Sequence, residues 1–212
     1  ELVQNGADAI GASSTEQVDG GKVKIVLTKD GLYCANQGAP FSFEGIEAIA
    51  YPIHSAKTGN EIGRYGQGFR SVLAVTDRLG IYSRTISCHY SFELASRFLT
   101  EDKASETGIG PQVLMQELGT NESPAVNILA IPVPVDPDES FGAYPILIEM
   151  SLWAATIIHL PFIDSQRFEK ETIFNNLKSG LENFPAEFLM FAGHVQELEF
   201  EIPELFFRRS IS

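Results

Sequence analysis

Lys22-Val-Lys-Ile-Val-Leu-Thr28 alternates polar and apolar residues, the triplet Lys29-Asp30-Gly31 reverses the chain, and Leu32-Tyr-Cys-Ala35 resumes an apolar run. Period-two alternation sends successive side chains to opposite faces of a strand, and two such runs joined by a tight turn read as a β-hairpin. The hairpin has helical neighbours. Leu2, Ala9 and Ile10 recur at helical spacing within Glu1 to Ala12, the Gly/Ser-rich stretch 11–21 ends that helix as a flexible connector, and Phe43 to Ala50 reads as a short helix. Further along, Leu79 to Ser83, Thr85 to Leu94, Val126 to Val133, Ile146 to Met150 and Thr156 to Leu160 are β-rich, and several of them are expected to join the hairpin in one mixed or antiparallel sheet. Gly66 to Thr76 reads as a buried helix, and the polar stretch Pro52 to Arg64 as a lid over a ligand. Pro132 to Pro145 reads as an irregular crossing, Ser165 to Leu181 and Pro185 to Ala192 as helices, and Val195 to Ile202 as a last strand.

The 212 residues, 44% hydrophobic and 20% charged, suit one globular domain spanning the whole chain. A net charge of −13 repels a phosphate backbone, and no Lys/Arg cluster interrupts it, which argues against direct nucleic-acid binding. The apolar stretch Tyr144 to Phe162 is broken by Pro145, Glu149, His159 and Pro161, so it reads as two buried strands and not as a membrane span. Cys34 and Cys88 form no C-x-x-C pair and no His stands at ligand spacing, which points to buried thiols in a cytoplasmic protein. The chain begins without Met, inside a helix, as expected of an N-terminally truncated fragment of a larger protein.

Three polar signatures carry chemistry. On a helix, Glu1, Asn5 and Asp8 fall within one angular sector. That edge is either a solvated helix face or one wall of a site, with Asn5 offering a carbonyl oxygen to Mg²⁺ and Glu1 orienting or deprotonating a water. Asn36-Gln37-Gly38-Ala39-Pro40-Phe41 is either a plain turn or a purine reader, in which the Asn36 amide pairs with adenine, Gly38 admits close backbone approach and Phe41 forms an apolar wall. Gly63-Arg-Tyr-Gly66-Gln-Gly68-Phe69 opens the apolar run Val72 to Val75, and a glycine turn feeding a helix N-terminus offers unpaired N–H groups to an anion such as a nucleotide phosphate. The glycine turn lacks the Lys-Ser/Thr of a P-loop, and its spacing is not that of the dinucleotide fingerprint.

The ordered set Glu1-x-x-x-Asn5, strand-Asn36-x-Gly38-x-Pro40-Phe41, Ser55-x-Lys57, Ile62-Gly63-x-Tyr65-Gly66-x-Gly68-Phe69 and a late-strand Thr156 resembles the Bergerat-fold ATPases of the GHKL superfamily, and most of all their sacsin-like ATP-binding domains. The resemblance covers about residues 1–160. It implies an α+β fold, a two-layer α/β sandwich with helices packed on one face of a mixed, largely antiparallel sheet, and ATP held with Mg²⁺ under a lid of about residues 39–65. In that frame Glu1 matches the water-activating Glu, Asn5 the Mg²⁺ ligand and Asp8 a nearby polar residue of the pocket. Asn36 stands where most relatives carry an adenine-reading Asp, Gly38 and Phe41 match the pocket floor and wall, and Thr156 matches the Thr that supports adenine through water. Gly63, Gly66, Gly68 and Phe69 match the phosphate-cradling turn, with Lys57 in the lid facing a phosphate.

The same resemblance implies an ATP-binding domain with slow, Glu-activated ATP hydrolysis, coupling lid closure to other domains of the same larger protein or to a second copy. Two rivals stand beside it: a non-catalytic nucleotide-binding interaction module, and a histidine kinase catalytic domain, which needs a phosphoacceptor His on a dimerisation helix that this chain does not display. Gly6, following Asn5, weakens a helix by up to about 1 kcal/mol relative to Ala, and nothing in the sequence accounts for it.

Overall fold

The hairpin forms as its alternation dictates: β1 (Lys22–Thr28) pairs antiparallel with β2 (Gly31–Asn36), from Val23 opposite Asn36 to Thr28 opposite Gly31. The computed structural model describes residues 1–13, 21–50, 68–91, 128–164 and 169–212. Around the hairpin lie α1 (Leu2–Ala12), α2 (Phe43–Ala50), β3 (Arg78–Ser83), β4 (Ser87–Ser91), β5 (Val133–Pro134), α3 (Pro137–Ala143), α4 (Pro145–Ser151), β6 (Thr156–Pro161), α5 (Lys170–Glu182), β7 (Glu197–Ile202) and β8 (Phe207–Ile211). The strands make one sheet in the order β5-β4-β3-β6-β2-β1-β7-β8, antiparallel throughout except where β7 runs parallel to β1. This is the expected two-layer α/β sandwich on a mixed, largely antiparallel sheet.

Alternation sorts the core. Val23, Ile25 and Leu27 of β1, Leu32 and Cys34 of β2, and Ile158 and Leu160 of β6 face Val3, Ala7 and Ile10 of α1, Ile46 and Ile49 of α2, and Phe174 and Leu181 of α5. The intervening residues Val26, Tyr33, Ala35, Tyr82 and Ile157 point to the other side, where Leu147 and Met150 of α4 close a smaller cluster. Leu147 is fully buried, a placement that stabilises by roughly 1.5–3 kcal/mol. Beyond that cluster the back of the sheet is ionic. Glu199, 1% exposed, accepts from Lys22 Nζ at 2.8 Å and Arg208 Nε at 2.6 Å, and Lys24 Nζ reaches Glu201 at 2.7 Å.

Several local expectations change. Ile146 to Met150 is helical, not a strand, so Tyr144 to Phe162 holds one helix and one strand. Pro145 stands at the first helical position, where its missing N–H costs nothing, and Leu147 and Met150 bury at helical spacing. The crossing Pro132 to Pro145 contains α3, capped by Asp136, whose side chain accepts from Asp138 N at 3.0 Å, with Pro137 next in line. From Val126 to Val133, the described residues hold a 3-10 turn, Ile128–Ala130, and the start of the two-residue β5. Gly68–Ala74 is a 3-10 helix, and its three-residue turn stacks the two buried residues Phe69 and Val72. The helix expected over Pro185 to Ala192 is likewise 3-10, Ala186–Met190. Strand β8 lies beyond the strand expected to be last. Among the described residues no helix is long and apolar enough to cross a membrane.

Candidate functional site

Helix α1 buries Val3, Gly6, Ala7 and Ile10 and turns Glu1, Asn5 and Asp8 toward a cavity of about 300 Å³. The helix lies unusually close to the hairpin. A Cβ on Gly6 would stand 3.0 Å from Val23 Cγ2 and 3.2 Å from Asn36 Cβ, so glycine is what lets α1 settle onto β1 and β2 and brings Asn5 alongside Asn36. The helix cost of Gly6 is thus the condition for bringing two polar signatures, distant in sequence, to one cavity.

The floor is built across three strands. Asn36 of β2 is the register partner of Thr156 of β6, which is in turn the partner of Ser83 of β3, so three polar side chains stand in a row. Asn36 Nδ2 donates to the Gln37 carbonyl at 2.8 Å. Ser83 Oγ donates to the Ala155 carbonyl at 3.0 Å and lies 3.2 Å from Thr156 Oγ1. Cys34 and Ile158, one register step deeper on the same face, line the apolar part of the cavity. Burial pushes the Cys34 thiol up to about 12, which keeps it protonated and unreactive.

Residues 37–42 make the connecting wall. Gly38 has φ +102°, and a Cβ there would lie 2.5 Å from the Ala9 carbonyl oxygen, while Ala39 N donates to that same oxygen at 2.8 Å. Gly38 therefore packs against α1, while the neighbouring Ala39, Pro40 and Phe41 line the cavity. The Phe41 N–H is shared between Ser83 Oγ at 2.8 Å and Thr156 Oγ1 at 3.1 Å, and the Phe41 carbonyl accepts from Thr85 Oγ1. So fixed, Phe41 lines the cavity, and Gly45 of α2 makes room for its ring, since a Cβ there would lie 3.1 Å from Phe41 Cζ. Glu44, Ala48 and Ile49 complete the α2 side. A hydrogen bond from Ser42 holds the Glu44 carboxyl below its ordinary range.

The structure thus gathers Glu1, Asn5, Asp8, Asn36, Phe41, Phe69 and Thr156 around one cavity. Gly68 meets it through Glu1: a Cβ on Gly68 would overlap the Glu1 carboxylate. Lys57, Gly63 and Gly66, with the rest of the expected lid from 51 onward, lie outside the described residues. Cys34 and Ile158 line the cavity although no motif marks them, and Ser83 is tied to it by its hydrogen bonds to the Phe41 N–H and Thr156. Cys34 was accessible to sequence reasoning, because alternation along β2 puts it on the face of Asn36; Ser83 was not, because strand order alone brings β3 beside β6.

Charge at the site is one-sided. Glu1, Asp8 and Glu44 line the cavity, and among the described lining residues there is no Lys or Arg. Hard oxygen donors on one helix edge fit a cation such as Mg²⁺. No group of three or more His, Cys, Asp or Glu suited to a metal occurs among the described residues.

No family model and no curated protein matches this sequence. Among solved structures, the chain matches the B subunit of the DNA gyrase from Myxococcus xanthus with TM-score 0.42 at 14% sequence identity, over 99% of this chain and 48% of that one. This chain spans about half the length of that subunit.

Proposed function

We propose that the chain is an Mg-ATP-binding domain of the Bergerat type within the GHKL superfamily, sacsin-like in its glycine turn, and that it hydrolyses ATP slowly. One observation carries this reading: the Glu1/Asn5/Asp8 edge of α1 and the Asn36/Thr156 floor, separate in sequence, converge on a single cavity whose far side is apolar. An apolar slot with a few convergent polar groups is the usual form of a base-binding site, and its volume falls at the lower end of the common range of roughly 300–1,000 Å³.

In this reading the base lies between Phe41 and the Cys34/Ile158 floor, with its polar edge on Asn36 and Thr156. Asn5 supplies an oxygen to Mg²⁺, and Glu1 orients and deprotonates the attacking water. The magnesium ion, when bound, offsets phosphate charge, which the acidic lining does not do. Gly63, Gly66, Gly68 and Phe69 form the phosphate turn, Asp8 borders the pocket, and Lys57 meets a phosphate from the lid. Closure of that lid transmits nucleotide state to further domains of a larger cytoplasmic protein or to a second copy.

Calorimetry with Mg-ATP on the wild type, Asn5→Ala and Glu1→Ala tests this. Binding by the wild type, weakened in Asn5→Ala and retained without turnover in Glu1→Ala, is the expected pattern; no binding by the wild type refutes it. The neutral Asn36 and the lack of a cation among the described lining residues favour one competing reading, a nucleotide-binding interaction module without turnover. Hydrolysis by the full-length protein that disappears in Glu1→Ala excludes that alternative.

A further inference from the structure

The hydrogen bonds on the cavity floor fix the polarity of its side chains. Ser83 Oγ lies 3.0 Å from the Ala155 carbonyl oxygen, which can only accept, so the Ser83 proton goes there; turned elsewhere, the hydroxyl would set lone pair against lone pair. With that proton committed, Ser83 has none to give across the 3.2 Å to Thr156 Oγ1, so Thr156 donates to Ser83. The Phe41 N–H, shared by the two hydroxyls, takes acceptor capacity from both but leaves Thr156 one lone pair. Thr156, only 4% exposed, therefore meets the cavity as an acceptor. Asn36 is oriented in the same sense: its Nδ2 lies 2.8 Å from the Gln37 carbonyl, a reversed amide would place oxygen against oxygen, and Oδ1 is the oxygen that remains for a ligand. Direct cross-strand partners hold their Cβ atoms about 4.5–5.5 Å apart, within reach of a single ligand group.

We infer that Ser83 is a specificity-determining positioning residue: by obliging Thr156 to accept, it makes the floor take a ring edge that carries an amino group and reject one that carries an oxo group at the same place. The inference rests on the nucleotide-binding reading above and deepens it. An amino group brings protons to Thr156 Oγ1 and Asn36 Oδ1, whereas an oxo group brings lone pairs to lone pairs, and such a mismatch is where hydrogen-bonding pockets discriminate most.

Titrating Mg-ATP and Mg-ITP, which differ in this group, into the wild type, Ser83→Ala, Ser83→Thr and Thr85→Val separates the outcomes. The wild type is expected to prefer ATP by at least about tenfold, equivalent to about 1.4 kcal/mol. Ser83→Ala releases the Thr156 proton and brings the ratio toward one, chiefly by tightening ITP; Ser83→Thr keeps the hydroxyl and restores the preference. Thr85→Val, which loosens only the Phe41 carbonyl, weakens both nucleotides equally, so a merely structural contribution leaves the ratio unmoved. Equal affinities in the wild type overturn the inference whether or not Ser83→Ala folds, as does an unchanged ratio in a Ser83→Ala protein that still binds ATP. Failure of the wild type to bind either nucleotide overturns instead the reading on which the inference rests.

Discussion

Replacing Gly6 by Ala sets two effects of known size against each other. In a helix interior Ala is favoured over Gly by about 1 kcal/mol, so propensity alone predicts a more stable protein. The added Cβ, however, meets Val23 Cγ2 at 3.0 Å and Asn36 Cβ at 3.2 Å, whereas carbon atoms are most comfortable at about 3.5–4.0 Å. Neither neighbour can withdraw. Val23 is completely buried and β-branched, and Asn36 Cβ is held by a backbone paired on both sides by β1 and β6. Inserting a carbon into such a site costs about 1–3 kcal/mol, which leaves a net loss between about zero and 2 kcal/mol. Gly180 in α5 is the internal control, because a Cβ there meets nothing within 4 Å; Gly180→Ala should gain about 1 kcal/mol, worth roughly 2–4 °C in Tm for a chain of this size. The difference between the two variants in thermal melts followed by circular dichroism isolates the steric cost. In the same variant, α1 rides away from the hairpin and separates Asn5 from Asn36, so Mg-ATP affinity should fall in Gly6→Ala and not in Gly180→Ala. A Gly6→Ala protein that melts as high as Gly180→Ala, with undiminished affinity, refutes the argument that close approach of α1 builds the site.

Two further perturbations test the scaffold. Gly38→Ala forces an L side chain into φ +102° and drives its Cβ to 2.5 Å from the Ala9 carbonyl oxygen, which should cost more than the roughly 1–3 kcal/mol of backbone strain alone and appear as a lower denaturant midpoint. Burial lowers the His159 imidazole to about 3, so the neutral ring, stacked on Tyr33 at 4.3 Å, is the folded form, while the unfolded chain takes up its proton near 6.5. Stability is therefore complete above pH 6.5 and declines as pH falls toward 3, by about 2 kcal/mol between pH 7 and 5 for this group. Glu199, held below its ordinary 4.5 by Lys22, Lys24 and Arg208 against the opposing effect of burial, loses its contribution only at more acid pH, so chemical denaturation at pH 7 and pH 5 reports chiefly on histidine. His159→Phe should reduce that dependence to the part left by His89, whose imidazole burial also lowers, and an unchanged slope would show that His159 is not a source of it.

The sequence alone determined the elements whose periodicity is unambiguous. The β1–β2 hairpin, α1, α2 and β6 form where alternation or helical spacing places them, because those patterns record which side of each element must leave water. It also put Glu1, Asn5 and Asp8 on one helix edge and Asn36 at a strand end. Short apolar runs were ambiguous: Ile146 to Met150 is as good a strand as a helix by composition, and Pro145 at a helix start together with burial at Leu147 and Met150 decided it. Only the tertiary structure set β6 between β2 and β3, because strand order depends on contacts between segments far apart in the chain. That order alone lines up Asn36, Thr156 and Ser83, and the approach of α1 to the hairpin gives Gly6 its reason and packs Gly38 against Ala9.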